Sequence, residues 1–229
     1  MSQISEDARA GLVLNIDKPA GMTSFRVVQV VRRIVGIRKV GHTGTLDPAA
    51  TGVLIVCTGK ATKQIESLMA RGKEYTGAFR LGETTDTYDG DGRVTQVCET
   101  APFALSELEA AAEEFRGGYD QIPPMYSALK HNGQPLYKLA RKGVEIPRAS
   151  RAVVLDTFRL GAYQHPLLEF NVCCSKGTYV RSLAHDFGQV LGCGAHLASL
   201  RRTRNGNFRI DTAIPLHRLA DHLMERTLA

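Results

Sequence analysis

The run that most constrains this chain is Gly41-His42-Thr43-Gly44-Thr45-Leu46-Asp47-Pro48-Ala49-Ala50-Thr51-Gly52, followed at once by Val53-Leu54-Ile55-Val56-Cys57. Its glycines, threonines and proline break the first part too often for a helix interior or a strand. The apolar residues that follow fit a strand covered on both faces. A polar loop is therefore held against a rigid support. It carries one carboxylate, Asp47, which Pro48 biases toward extended geometry, and His42 is its other titratable side chain. Such a loop suits a pre-shaped site. The plain alternative is a connector, since Asp-Pro commonly opens turns.

With 229 residues and 25.0 kDa, the chain has room for one large domain or a domain with an inserted subdomain. An apolar content of 43% supplies a real core, and a net charge of +6 hints at a polyanionic partner. No stretch approaches a membrane span or a signal peptide. The five cysteines form no C-x-x-C pair, and Cys173 and Cys174 would point to opposite faces of a strand. That usage argues against disulfides and a zinc site, and for a reduced, cytoplasmic setting.

Along the chain, the first ten residues read as polar and frayed, and 11–17 as a strand. Lys18-Pro19-Ala20-Gly21-Met22-Thr23-Ser24 reads as a turn into a helix capped by Ser24. The helix buries Val27, Val28, Val31, Ile34 and Val35 and stops at Gly36. Residues 74–81 make a strand with Tyr75, Gly77, Phe79 and Leu81 on one face. The Asp-Gly cluster at 84–92 mimics a calcium loop, but Thr100 stands where the twelfth-position glutamate belongs, so no metal is expected. An amphipathic helix covers 106–115, with Ser106 and Glu109 at capping-box spacing. Residues 123–151 carry Lys130, Lys138, Arg141, Lys142, Arg148 and Arg151 against Glu145 alone, with Tyr126 and Tyr137 interleaved. That mixture suits phosphate contact and base stacking, or simply a solvated basic loop. Strands follow at 152–160 and 167–174, a helix at about 178–191, a strand at 197–204 and a hairpin turn at Asn205-Gly206.

The run from Gly41 to Gly52 resembles the signature Gly-His-Thr-Gly-x-Leu-Asp-Pro-x-Ala-Thr-Gly of the TruB family of tRNA pseudouridine synthases. Lys18 to Ser24 is similar to a family motif that mainly braces the catalytic loop, and Ser175-Lys176-Gly177-Thr178-Tyr179-Val180-Arg181 is similar to a further family motif. The likeness extends from about Leu12 to beyond Leu200. It implies an α/β (α+β) catalytic fold with a largely antiparallel mixed sheet flanked by helices, as one domain over residues 1–229. Residues 123–151 would be an inserted thumb that closes on RNA. A C-terminal PUA-type domain, often present in the family, is not expected here.

The resemblance also implies an activity, namely isomerising the T-loop uridine at position 55 of tRNA to pseudouridine after base flipping. Asp47 would be the nucleophile. Arg181 would hold it ionised and oriented through a bidentate pair, and Tyr75 would stack on the target base and assist the final proton transfer. His42 would wedge into the T loop by shape rather than by acid–base chemistry. Tyr179 and Leu200 would line the uracil pocket. Lys18, the thumb cations, Arg201, Arg202 and Arg204 would contact phosphates. The reaction needs no net oxidation or hydrolysis, so neither a cofactor nor a metal is implied. The implied partner is the T-arm stem-loop of tRNA, met by a monomer with no obligate protein partner and no membrane.

Two other functions fit parts of this pattern. An RNA-binding or RNA-folding module would use the basic thumb and His42 equally well. An Asp-dependent hydrolase is disfavoured, because neither a metal-ligand set nor a second catalytic carboxylate accompanies Asp47.

Overall fold

In the computed structural model, which describes residues 3–228 (side chains through 225), the apolar run after the loop is a strand with both faces covered. In chain order the main elements are α1 (Gln3–Gly11), β1 (Val13–Lys18), α2 (Ser24–Val35), β2 (Val40–His42), β3 (Thr51–Thr58) and β4 (Lys73–Leu81). They continue with α3 (Leu105–Glu113), β5 (Leu155–Gln164), β6 (Leu167–Cys174), α4 (Val180–Val190), β7 (Ala195–Asn205), β8 (Phe208–Arg209), β9 (Ile214–Pro215) and α5 (Leu219–Leu228). The fold is mixed α/β, with mostly antiparallel strands flanked by helices, as the resemblance implies.

The chain forms two compact units, Met1–Tyr75 together with Leu200–Ala229, and Thr76–Ser199. In the first, β9, β1 and β3 lie side by side. β1 runs antiparallel to β3, with Val13 opposite Cys57 and Lys18 opposite Gly52. The other edge of β3 is shared. β2 pairs with it antiparallel from Val40 opposite Thr58 to His42 opposite Val56. β7 pairs with it in parallel, Arg201 against Thr51 and Arg202 against Gly52. Side-chain alternation along β3 then feeds two cores. Leu54 and Val56 join Val27, Val28, Val31 and Val35 of α2, while Val53, Ile55 and Cys57 pack with Ala61 and Leu68. A strand buried on both faces has little freedom to move, which suits it to carry a fixed loop.

The expectation of a frayed N-terminus is overturned for residues 3–10. They belong to α1, where Ala8 is fully buried in the same core as α2. The Thr58 hydroxyl donates to Ala8 O at 2.7 Å, and the Ser5 hydroxyl donates to Val35 O at 3.0 Å. One buried alanine and two long-range hydrogen bonds hold a segment whose composition alone reads as solvated. Helix α2 is also capped one residue earlier than expected. Thr23, in extended geometry, accepts from Arg26 N at 3.1 Å, and Gly36 closes the helix in the left-handed region. Ser24 is left for another task. Helix α3 likewise begins ahead of the expected capping box, with Glu107 accepting from Ala104 N at 2.7 Å.

The second unit orders its strands β5–β6–β4–β7, where β4 and β7 contribute residues 76–81 and 195–199. Its core is aromatic. Phe79 stacks on Phe170 with centroids 4.3 Å apart, and Phe115, Phe158 and Phe187 surround them edge-on or tilted. Val180, Leu183, Ala184 and Phe187 form the expected buried stripe of α4, and Leu191 lies just past its end, half-buried. Among the described residues no helix is long and apolar enough to cross a membrane.

Candidate active site

Backbone bonds and side chains pin the loop on either side of Asp47. Immediately before it, the Ser24 hydroxyl accepts from Leu46 N at 2.8 Å and donates to Leu46 O at 3.0 Å. Immediately after it, Pro48 O accepts from Gly21 N at 2.9 Å and from Lys18 Nζ at 3.1 Å. Ala50 N closes a turn onto Asp47 O. Further back, Thr43 N donates to Ile55 O, Asn205 Nδ2 donates to the Thr43 hydroxyl at 3.2 Å, and Arg202 Nη2 donates to Gly44 O at 3.3 Å. Asp47 is half-buried within this frame.

Ser24 and Leu46 are both buried, so the mutual pair cannot be replaced by water without rearrangement. A Ser24→Ala variant would orphan a buried N–H and a buried C=O, at about 1–3 kcal/mol each. We expect it to lose about 2–4 kcal/mol of stability and at least tenfold in turnover, checked by urea denaturation and single-turnover rates. Full stability with slowed turnover would show that the loop, not the fold, depends on this contact.

Lys18 is fully buried. Its ammonium donates to Met22 O at 2.6 Å, Pro19 O at 2.9 Å and Pro48 O at 3.1 Å, which uses all three of its protons. The expectation of a phosphate contact therefore gives way to a bracing role, in which one cation ties the turn 19–22 to the residue after Asp47. Burial pushes its pKa down to about 8; the negative charge of Asp47 opposes that shift and Arg202 adds to it. An unfolded lysine titrates near 10.4, so between about pH 8 and 10 the unfolded chain binds more protons. Stability carried by this group therefore rises with pH across that window. Thermal melts from pH 7.5 to 9.5 are expected to show a rise in the wild type, on the order of 1 kcal/mol, that Lys18→Met lacks.

His42 ends β2, half-buried, and burial together with the charge of Arg202 holds its pKa below the ordinary value. That shift favours the neutral ring. Tyr75, in β4, is only 6% exposed, and Leu200, in β7, is half-buried. The three arginines of β7 are engaged internally. Arg202 is buried with Nε on Val53 O at 2.6 Å, Arg201 pairs with Asp17 at 2.8 Å, and Arg204 pairs with Glu74 at 3.2 Å. Arg202 thus supports the loop from below, and its phosphate-contact reading gives way as that of Lys18 does.

Arg181 and Tyr179 belong to the second unit. Arg181 is 6% exposed at the start of α4, where it donates to Thr87 O at 3.0 Å and Tyr126 O at 2.9 Å and lies 3.5 Å from Asp89 Oδ2. The acidic 84–92 loop is thereby fastened to Arg181 of the 175–181 motif. Tyr179 precedes α4 with its backbone N–H and C=O both bonded to the buried Gln121 amide, at 2.7 and 3.0 Å. The basic segment folds as a small hairpin, Lys130–His131 with Gln134–Pro135, and a short helix Leu136–Ala140. Lys130, Lys138, Arg141, Lys142 and Arg151 are exposed on it, whereas Leu136 is buried.

The structure thus gathers Asp47, Lys18 and His42 in one unit and adds Ser24, Arg202, Asn205 and Thr43 as the frame beneath them. Sequence reasoning placed Ser24 as a cap and Arg202 as a surface cation. It had no signal for Asn205 or Gln121, because an amide that caps a remote backbone leaves no local pattern.

Comparisons with known proteins agree with one another. The family description "TruB family pseudouridylate synthase (N terminal domain)" matches residues 32–180, and "tRNA pseudouridylate synthase B C-terminal domain" matches 181–229. The tRNA pseudouridine synthase B of Desulfotalea psychrophila is 47% identical over 228 residues, covering 96% of this chain and 92% of that protein. That of Opitutus terrae is 48% identical, covering 89% and 85%, and that of Syntrophotalea carbinolica is 48% identical, covering 89% and 67%. Among solved structures, a Cbf5-Nop10-Gar1 complex matches with a TM-score of 0.75 at 33% identity. The match covers 96% of this chain and 56% of that one.

Proposed function

The chain belongs to the TruB family of pseudouridylate synthases, and we propose that it isomerises the T-loop uridine at position 55 of tRNA to pseudouridine with Asp47 as nucleophile. The C1′–N1 glycosidic bond breaks, the detached uracil turns, and a C1′–C5 bond forms. N1 gains a proton and C5 loses one. No electrons are transferred overall, so the step needs an ionised nucleophile, a stacking surface and exclusion of water, but no cofactor.

The observation that carries this reading is the fixed placement of one carboxylate. Leu46 and Pro48, its two neighbours, are each held by side chains of a separate motif, Ser24 and Lys18. Such pinning sets a reacting group before substrate arrives, and preorganisation of that kind lowers the cost of reaching a reactive geometry. The remaining roles are those that the motif resemblance implies. Tyr75 stacks on the flipped base and assists the last proton transfer, Arg181 is the site's cation, and Tyr179 and Leu200 line the uracil. His42 enters the T loop as a neutral ring, and the exposed cations of residues 123–151 contact the RNA backbone. The protein acts as a monomer in the cytoplasm, and the T-arm is its recognition element.

Tritium at C5 of uridine tests this reading. The purified protein, incubated with a labelled T-arm transcript, is expected to release one equivalent of tritium per RNA, since bonding C5 to C1′ must expel that hydrogen. Release from full-length tRNA alone would place essential contacts outside the T-arm. No release from either RNA would leave binding as the function and overturn the enzymatic reading.

A further inference from the structure

A basic pocket lies at the opposite end of β3 from Asp47. It has a volume of about 430 Å³ and is lined by Arg9, Gly36, Ile37, Arg38, Lys39, Gly59 and Lys60. Three elements meet there, namely α1, the left-handed turn that ends α2, and the turn that leaves β3. Gly59 N donates to Lys39 O at 2.8 Å, which ties the last two together. A side chain at Gly59 would collide with the backbone of Ala8 and Arg9, both carbonyls lying 2.3 Å from its would-be Cβ. The walls are packed backbone, and the charges project from them.

The charge pattern is lopsided. Between Asp17 and Glu66 the chain carries Lys18, Arg26, Arg32, Arg33, Arg38, Lys39, Lys60 and Lys63, and its only acid is Asp47. Among the described residues Arg38, Lys39 and Lys60 form no ion pair, and all three are exposed. The bland account is that cations gather at the C-terminal end of α2 to offset its dipole. That end carries only about half a negative charge. The pocket lines itself with four cations, and two of them, Arg9 and Lys60, come from other elements. A surplus of this size in a concave site favours a multiply charged anion.

We propose that this pocket binds a backbone phosphate of the tRNA substrate, away from the reacting base. The inference rests on the function proposed above. β3 advances about 3.3 Å per residue, so seven steps from Thr51 to Thr58 put the pocket ~23 Å beyond the catalytic loop. A contact so far from the reacting atoms adds affinity and register and leaves the chemical step alone. It supplies position without sequence information, in the manner of phosphate contacts generally.

The test compares Arg38→Gln/Lys60→Gln with Arg209→Gln/Arg218→Gln. The second pair removes two exposed cations that already sit near their own aspartates, Asp211 and Asp221. Affinity for unmodified full-length tRNA is measured across a range of KCl concentrations, and tritium release at saturating tRNA is measured on the same preparations. The pocket variant is expected to bind about tenfold more weakly at low salt. Its log Kd against log salt slope should shrink by about 0.8, as one lost phosphate contact requires, with kcat unchanged. The control variant should match the wild type. Unchanged affinity and slope in the pocket variant, or an equal loss in the control, overturns the proposal. Pyrophosphate provides the other source of the same chemistry. If it shifts the Gly36 and Gly59 amide resonances while the pocket variant binds tRNA normally, the pocket serves a small phosphate ligand and the RNA assignment fails. Absence of tritium release from the wild type would instead refute the enzymatic reading, and the salt slopes would still decide the pocket.

Discussion

Replacing Asp47 with asparagine is expected to lower turnover by at least about 10⁴-fold while the protein stays folded and binds tRNA within error of the wild type. Loss of a nucleophile removes the covalent route altogether, and in enzymes where this has been measured the residual rate reflects binding and electrostatics alone. The fold should survive because the anchors of the loop are backbone atoms of Leu46 and Pro48, which the substitution leaves in place. Asparagine is nearly isosteric with aspartate. It is also chemically safe here. Deamidation back to aspartate proceeds by succinimide closure through the next residue's N–H, and Pro48 has none. Traces of activity therefore could not be blamed on reversion.

The same substitution carries an electrostatic signature. The Asp47 charge holds the Lys18 pKa up against burial, so its removal should move that titration below its present value of about 8. The pH window over which stability rises would then begin lower and extend further. Normal turnover in Asp47→Asn would sink the mechanism. Lost turnover without any change in the pH–stability curve would keep the nucleophile and refute the coupling to Lys18.

Much of this site was legible before the structure. The apolar run of β3, the helical spacing in α2 and the three motif runs depend on local chemistry, and each lies where periodicity or turn residues put it. What could not be read was the fate of charge. Lys18 and Arg202 look like surface cations in a basic sequence, and both are buried on backbone carbonyls. Those carbonyls belong to turns whose shape is a tertiary property, and nothing within a few residues of either cation announces it. The helix α1 failed for the same reason, because its hold on the molecule is a buried Ala8 and two contacts to distant strand and helix ends. In the basic segment 123–151 the exposed cations were foreseen, but the burial of Leu136, which seats its short helix, was not.

Gly52→Ala is expected to be severely damaging. Gly52 closes the loop at the first turn of β3, with φ at +98°. An L side chain there costs on the order of 1–2 kcal/mol from conformation alone. The larger penalty is steric. A Cβ would lie 2.2 Å from Arg202 O and 2.8 Å from Arg202 N, inside the parallel pairing of β3 with β7. Neither atom is the end of a flexible side chain, so the strands themselves must part. Arg202 holds Val53 O and Gly44 O, and any shift of its backbone is therefore passed to the loop that carries Asp47. We expect a loss of about 3–5 kcal/mol, near the upper range for one substitution, and a fall in Tm of roughly 10 °C or more. Gly21→Ala provides the control. Its φ of +74° imposes a similar conformational cost, but nothing lies within 4 Å of its would-be Cβ. If both variants lose only about 1 kcal/mol, conformation accounts for the whole effect and the close approach of β7 is unimportant. If Gly52→Ala alone collapses in stability and turnover together, the glycine that ends the loop is what allows Arg202 to pass beneath it and hold Asp47 in place.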